Sequence, residues 1–399
     1  MLPSLARADR QNWTEPGAEL VAAGVHRIPL PLPSDGLRAV NVYAIATDEG
    51  LTLIDGGWAL PVAEEALTNA LRDIGFSLGD IRTFLVTHAH RDHYTQASAL
   101  RERFDVRVAL GALEWPTVEF CQRRARGEHV DDIEVGMLRR AGATELADII
   151  ERHAFARLYP RDWAVPDTSL DDGQSITVGT RTVTAHHTPG HTRGHLIFRD
   201  ADAGLLFAGD HVLPHITPSV GFEPIRQESP LRAYLASLAL VRAMPDALLL
   251  PAHGPATGSV HERVDELLAH HAERLDLTSA ALRAGCDTAY AVAAHLGWTR
   301  RHTRLEDLDP FNRILAVLET VAHLDVLIER GLVGATDDDR GLRHYHQGES
   351  ARLAATPGPR GTSRQRAWRR RRRMSTSQKI ASTASPNARI PRRVTLTEP

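Results

Sequence analysis

Two cysteines, Cys121 and Cys286, are all that the 399 residues contain. A disulfide framework is therefore excluded. Neither cysteine falls in a metal-spacing motif, and both read as small buried hydrophobes in helical segments. No apolar run approaches the roughly 20 residues that a membrane-spanning helix needs. The start, Met-Leu-Pro-Ser-Leu-Ala-Arg, has no basic stretch leading into an apolar one. A secretory signal is not expected, and a cytoplasmic location follows by default. Lysine is almost missing: Lys379 stands alone among 47 basic residues, the rest being arginine. That bias fits a high-GC coding genome and carries no mechanism.

What is present is an ordinary globular composition, 42% hydrophobic and 24% charged, long enough for one large domain and a smaller one. The net charge of −3 conceals two unlike parts. Residues 352–399 carry twelve Arg, one Lys and one Glu, which is +12 and leaves −15 for residues 1–351. An acidic body is joined to a basic tail.

Residues 25–32, 40–47 and 51–55 read as strands, β-branched or alternating and parted by Gly, Pro and Asp. Residues 60–75 read as a helix with Val62, Ala66, Leu67, Leu71 and Ile74 on its apolar face. A short apolar strand, 83–87, runs into His88, and 94–104 is helical again. Residues 113–158 form a helical insertion between two β-rich halves. The second half repeats the style of the first, with strands at 175–178, 182–187, 195–199, 205–208 and 247–251 and helices at 231–243 and 258–284. Two successive β-rich halves with outer helices predict an α/β fold over residues 23–284, an αββα sandwich in which helices flank two packed sheets. Residues 1–22 are an N-terminal extension. In 285–348, helices at 288–296 and 311–330 precede two strands around the turn Asp337-Asp338-Asp339-Arg340-Gly341, a winged-helix-like pattern. Residues 349–399, rich in Ser, Thr, Pro, Gly and Arg without periodicity, are expected to be a disordered Arg-rich tail.

The informative stretch is Thr87-His88-Ala89-His90-Arg91-Asp92-His93. Three histidines and an aspartate follow a buried-type strand within six residues. Neutral imidazole and carboxylate are zinc ligands, and few structural uses need four of them together. Three downstream elements can complete a second site: His191 in Thr188-Pro189-Gly190-His191-Thr192-Arg193-Gly194-His195, Asp210 in Ala208-Gly209-Asp210-His211, and His253 in Pro251-Ala252-His253-Gly254. Each follows a strand signal and is flanked by Gly or Pro, where loops converge on one edge of a scaffold. Among 21 histidines isolated ones carry little. His153, His211, His215, His270, His271, His302, His323 and His344 lack metal spacing and read as surface or structural side chains.

These motifs, in this order, resemble the metallo-β-lactamase superfamily over roughly residues 23–256. Asp55-Gly56-Gly57 resembles that family's early Asp-Gly motif. The resemblance implies one metal on His88, His90 and His191, a second on Asp92, His93 and His253, and Asp210 between the two. It implies that Asp55 supports the metal loop from behind. The expected cofactor is two Zn²⁺, with iron or manganese as alternatives. Zinc β-lactamases proper usually carry a cysteine where this chain has Asp210, so it looks more like the glyoxalase II, lactonase and ribonuclease branches. Flavodiiron proteins carry a glutamate at the position of His90, which disfavours a di-iron oxidase.

Such a site activates water for attack on an acyl or phosphoryl centre. Asp92 and Asp210 are expected to hold metal and accept the proton. His195 either stabilises an oxyanion or caps its turn. The favoured function is hydrolysis of a small ester, thioester or lactone. The alternative is an endoribonuclease or phosphodiesterase acting on single-stranded RNA, for which the winged-helix pattern and Arg369–Arg373 speak and the acidic body speaks against. A mononuclear-iron persulfide dioxygenase is a minor alternative. The expected partner is a small-molecule substrate, with nucleic acid second, no membrane, and a homodimer left open. Substrate choice is expected to lie in residues 113–158, the loop after Asp210 and the C-terminal segment.

Overall fold

The computed structural model describes residues 13–33, 36–152, 158–225 and 227–348. The tail expected over 349–399 lies outside the described residues. Four antiparallel strands come first: β1 (Glu19–Ala22), β2 (Val25–Pro31), β3 (Ala39–Thr47) and β4 (Gly50–Ile54). After α1 (Pro61–Asp73) the sheet continues in parallel through β5 (Ile81–Val86), α2 (Arg91–Arg101) and β6 (Arg107–Gly111). Three helices, α3 (Trp115–Ala125), α4 (Ile133–Arg140) and α5 (Thr144–Arg152), precede its last strand, β7 (Thr168–Leu170). The second sheet holds β8 (Ser175–Val178), β9 (Arg181–His187), β10 (Leu196–Asp200), β11 (Leu205–Gly209) and, after α6 (Pro230–Ala243), β12 (Leu248–Pro251) in parallel with β11. α7 (Val260–Arg283), α8 (Ala289–His295), α9 (Pro310–Glu329) and a hairpin of β13 (Val333–Asp337) and β14 (Arg343–Gln347) complete the described chain.

Side-chain alternation builds the layers. Successive residues on a strand face opposite sides, and here both sides are buried. Leu85, Phe198, Phe207 and Leu250 meet Tyr43 and Ile54 between the two sheets. Their neighbours Phe84 and Val86 turn outward onto α1 and α2, against Leu67, Leu71 and Ala97. Ile197, Leu206 and Leu249 turn outward onto α6 and α7, against Leu238 and Val264. That is the αββα sandwich. Leu138 of α4, Leu146 of α5, Leu318 of α9 and Tyr345 of β14 join this last cluster. The insertion and residues 285–348 therefore form one helical layer over the smaller sheet, within one compact unit.

Local signals set the helix ends. Ser259 caps α7 by accepting from Glu262 N–H (3.2 Å), the first half of a Ser-x-x-Glu capping pattern. Asp309 caps α9 through Asn312 N–H (3.1 Å), with Pro310 in its first turn. α2 departs from expectation. It starts at Arg91, a turn before the expected 94, so Asp92 and His93 sit in its first turn instead of a loop. A carboxylate there is favoured by the exposed N–H groups of the helix start. β1, β6 and β7 had no sequence signal, and β1 places part of the expected extension on the sheet edge. No described helix is long and apolar enough to cross a membrane.

Candidate metal centre

Parallel strands end side by side, and the loops leaving their carboxyl ends meet in a crevice. Asp55 directly follows the end of β4, and Thr87 and His88 follow the end of its parallel neighbour β5; Asp210 directly follows β11, and His253 comes two residues after its parallel neighbour β12. His191 comes from the connection of β9 to β10. Asp55 turns the chain in a left-handed conformation, φ 62°. Its carboxylate accepts from Thr87 N–H (2.8 Å), the Thr87 hydroxyl (3.0 Å) and His93 Nδ1–H (2.9 Å). Before Asp210 only glycine fits: at Gly209, φ 50°, a Cβ would stand 2.7 Å from His195 Nε2 and 2.8 Å from Thr87 Cβ.

Four of the five imidazoles are oriented from behind. His93 Nδ1 faces the Asp55 carboxylate (2.9 Å), His191 Nδ1 the Ser219 carbonyl (2.8 Å) and His253 Nδ1 the Ala39 carbonyl (2.8 Å). These partners only accept, so each Nδ1 carries a proton and each Nε2 is the ring nitrogen turned to the cluster. His88 Nδ1 lies 3.0 Å from the Thr87 hydroxyl, whose own proton goes to Asp55, so the same assignment holds. The loop that carries His253 is itself tied to β3, where Asn41 Nδ2 donates to the Pro251 and Gly254 carbonyls (2.9 and 2.7 Å).

The lone pairs gather in two groups. In the first, His90 Nδ1 lies 3.0 Å from both His88 Nε2 and His191 Nε2, and His191 Nε2 lies 3.3 Å from Asp210 Oδ2. In the second, Asp92 Oδ2 lies 3.5 Å from His253 Nε2 and 3.7 Å from His93 Nε2. Asp210 Oδ1 faces this second group, 3.4 Å from His253 Nε2 and 3.6 Å from His93 Nε2. One aspartate thus turns an oxygen to each group.

The donor set fits metal ions. Ligands about 2.0–2.1 Å from a tetrahedral zinc stand roughly 3.3 Å apart, within the spread of spacings above. His93 Nε2, His253 Nε2 and Asp210 Oδ1 are buried without a hydrogen-bond partner, an arrangement that is costly for protein alone and that a cation relieves. Charge argues the same way. Burial opposes a charge on His93, but Asp55, Asp92 and Asp210 outweigh it and lift its pKa to about 10. Burial would raise Asp92, but His93, His253 and His90 bring it to about 2. Burial and neighbouring imidazoles hold His90 down to about 3 and His88 well below the usual histidine range. Positive charge is wanted between the aspartates and refused by the first-group histidines themselves, leaving neutral imidazoles ready to ligate. His90 and Asp92 are half-buried while the other five are buried, so solvent reaches the cluster past them, where the Arg91 guanidinium lies 4.2 Å from the Trp58 ring centre.

All seven residues expected to hold metal come together. Of the two parts left open for His195, the contacts support the structural one. Its Nε2 accepts from Asp210 N–H (3.1 Å) and its Nδ1 pairs with the Thr188 hydroxyl (3.0 Å), so no ring nitrogen is left for an oxyanion. His195 holds the Asp210 backbone instead. Sequence reasoning missed Glu114, fully buried, which accepts from Ala89 N–H and Gly194 N–H (2.9 Å each) and from the Thr192 hydroxyl. No sequence signal marked it: it follows β6 (Arg107–Gly111), a strand that itself had none. The three segments expected to choose the substrate do meet: α4, residues 221–223 and 227–230, α9 and β14 line a cavity of about 300 Å³. None of the seven lines it. Glu223, on its wall, accepts from Arg193 N–H with both oxygens (3.0 and 3.1 Å), and burial together with the nearby Glu114 pushes its pKa up to about 8.

The family model of the metallo-beta-lactamase superfamily matches residues 35–253, more than half of the chain. The lactamase-like protein nscB of Neosartorya fischeri is 26% identical over 245 residues, 60% of this chain and 55% of that protein. An atrochrysone carboxyl ACP thioesterase of Aspergillus fumigatus is 24% identical over 244 residues, 61% of this chain and 44% of that protein. The chain thus spans about half the length of these curated relatives. The crystal structure of a metallo-beta-lactamase family protein from Thermus thermophilus superposes with a TM-score of 0.67 at 28% identity, covering 82% of this chain and 99% of that one.

Proposed function

The chain belongs to the metallo-beta-lactamase superfamily, and from that premise we propose that it is a metal-dependent hydrolase of small acyl substrates, thioesters foremost among thioesters, esters and lactones. The observation that carries the reading is the pair of inward lone-pair groups joined by Asp210. His88, His90 and His191 would hold one divalent ion, Asp92, His93 and His253 a second, and Asp210 both. Nitrogen and oxygen donors of this kind suit zinc, and also iron or manganese. Ions bound there lower the pKa of a coordinated water and polarise the acyl oxygen.

The chain's own part is positioning and charge. Backing acceptors at Asp55, Ser219 and Ala39 fix the imidazoles before substrate arrives, so little reorganisation remains for the reaction. Asp92, with a pKa of about 2, stays an anion near neutral pH. That suits it to the part of a charge-balancing ligand. Substrate enters past His90 and Asp92.

Thioesters are favoured over RNA on two grounds. The similarity to proteins named as acyl carrier protein thioesterases supports acyl chemistry. The body of residues 1–351 is acidic at −15, which repels a phosphate backbone. A panel of acyl thioesters, lactones and single-stranded RNA, given to the zinc-loaded protein, tests the choice. Thioester turnover that Asp210→Ala abolishes is the expected outcome. RNA cleavage abolished by that substitution, with no acyl turnover, would overturn it.

A further inference from the structure

We infer that Glu114 is a positioning residue for one half of the metal centre, the half made by His88, His90 and His191. The inference rests on the metal-binding reading above and adds a division of labour between buried carboxylates.

All three donors that Glu114 holds lie in two loops. Ala89 sits between His88 and His90, and its N–H reaches Oε2 at 2.9 Å. Gly194 and Thr192 follow His191, and the Gly194 N–H and the Thr192 hydroxyl both reach Oε1. One side chain therefore clamps together the loops that bear every histidine of the first group. Glu114 holds no donor from the start of α2 or from the loop of His253, whose supports are Asp55, Asn41 and the Ala39 carbonyl. Asp55 serves differently, because it touches His93 directly and His88 through the Thr87 hydroxyl.

Two further observations support the clamp. The backbones are in contact: a Cβ at Gly194 would lie 2.5 Å from Glu114 N and 2.6 Å from the Leu113 carbonyl carbon. Glycine at this place in the Thr-Pro-Gly-His-Thr-Arg-Gly-His motif is thus what lets Glu114 approach. Glu223 takes the intervening Arg193 N–H, so the segment that follows His191 ends on carboxylates at three successive residues. A carboxylate suits the position because it only accepts, with room for three donors. A glutamine of the same shape must point its NH₂ at one of them.

The test is metal affinity by chelator competition in the full chain, on two single-site backgrounds. With the second group crippled by His253→Ala, adding Glu114→Gln is expected to weaken the remaining Zn²⁺ about 10- to 100-fold. With the first group crippled by His90→Ala, Glu114→Gln is expected to leave the remaining affinity within about two-fold, since well-separated changes add. Gly194→Ala, which parts the two backbones without touching charge, is expected to follow the same pattern. Equal weakening on both backgrounds, or on neither, overturns the inference and leaves the metal centre standing. Failure of the unsubstituted protein to bind Zn²⁺ at all overturns the metal reading itself. A melting temperature of the metal-free Glu114→Gln protein within a few degrees of the parent is the accompanying expectation. A collapse of the metal-free fold would mean a purely structural residue.

Discussion

Three donors converge on the Asp55 carboxylate, from Thr87 N–H, the Thr87 hydroxyl and His93 Nδ1–H. Asp55→Asn keeps the shape but leaves one oxygen for three donors and turns an NH₂ towards one of them. Because Asp55 backs His93 directly and His88 through Thr87, both metal groups are expected to weaken, by about 10- to 100-fold. The fold is expected to lose roughly 1–3 kcal/mol, the cost of a buried donor left unpaired. Chelator competition and urea unfolding measure the two effects, and unchanged metal affinity would contradict the role. At this scale the seven metal-facing residues were legible because their side chains do the work and their spacing is unusual. Glu114 was not, because its partners are mostly backbone N–H groups, which no residue letter marks. The part of His195 was undecided for the same reason: its Nε2 is spent on the backbone of Asp210.

Between α7 and α9 two buried histidines form a short chain. His271 Nδ1–H faces His323 Nε2 at 3.3 Å, and His323 Nδ1–H donates to the Glu319 carbonyl at 2.8 Å. Burial, with His323, His270 and Arg274 adding to it, holds His271 at a pKa of about 2. Burial lowers His323 to about 4 against the pull of the Glu319 carbonyl. Both are neutral in the folded protein near pH 7, while in the unfolded chain each takes a proton below about pH 6.5. The unfolded state thus binds more protons as pH falls, and stability drops from about pH 6.5 down to the folded pKa values. For His323 alone the loss reaches on the order of 3 kcal/mol by pH 4. His323→Leu is expected to flatten the pH dependence of unfolding free energy between pH 6.5 and 4.5, whatever it does to stability at pH 7. An unchanged slope would contradict this account. Long elements such as α1, α7 and α9 were legible because an amphipathic face repeats over several turns. β7, of three residues, is too short to show a period, and β1 has no buried face to write one. The start of α2 was hidden because its first turn is written in ligands, not in apolar spacing.

At the scale of the molecule, two sheets put four strand ends on one edge, and the metal-facing residues occupy them. The sandwich was legible because two β-rich halves each came with outer helices. What the sequence could not convey is that the insertion and residues 285–348 share one core over the smaller sheet, since contacts so distant in the chain leave no local trace. This edge is proposed to hold two divalent ions through Asp210. Metal content per chain after stripping and reconstitution with Zn²⁺ tests it most directly. The expected result is two equivalents for the unsubstituted protein, one for either His90→Ala or His253→Ala, and less than one for Asp210→Ala. Two equivalents retained when Asp210 and His253 are both replaced by alanine, or one or fewer in the unsubstituted protein, would contradict it.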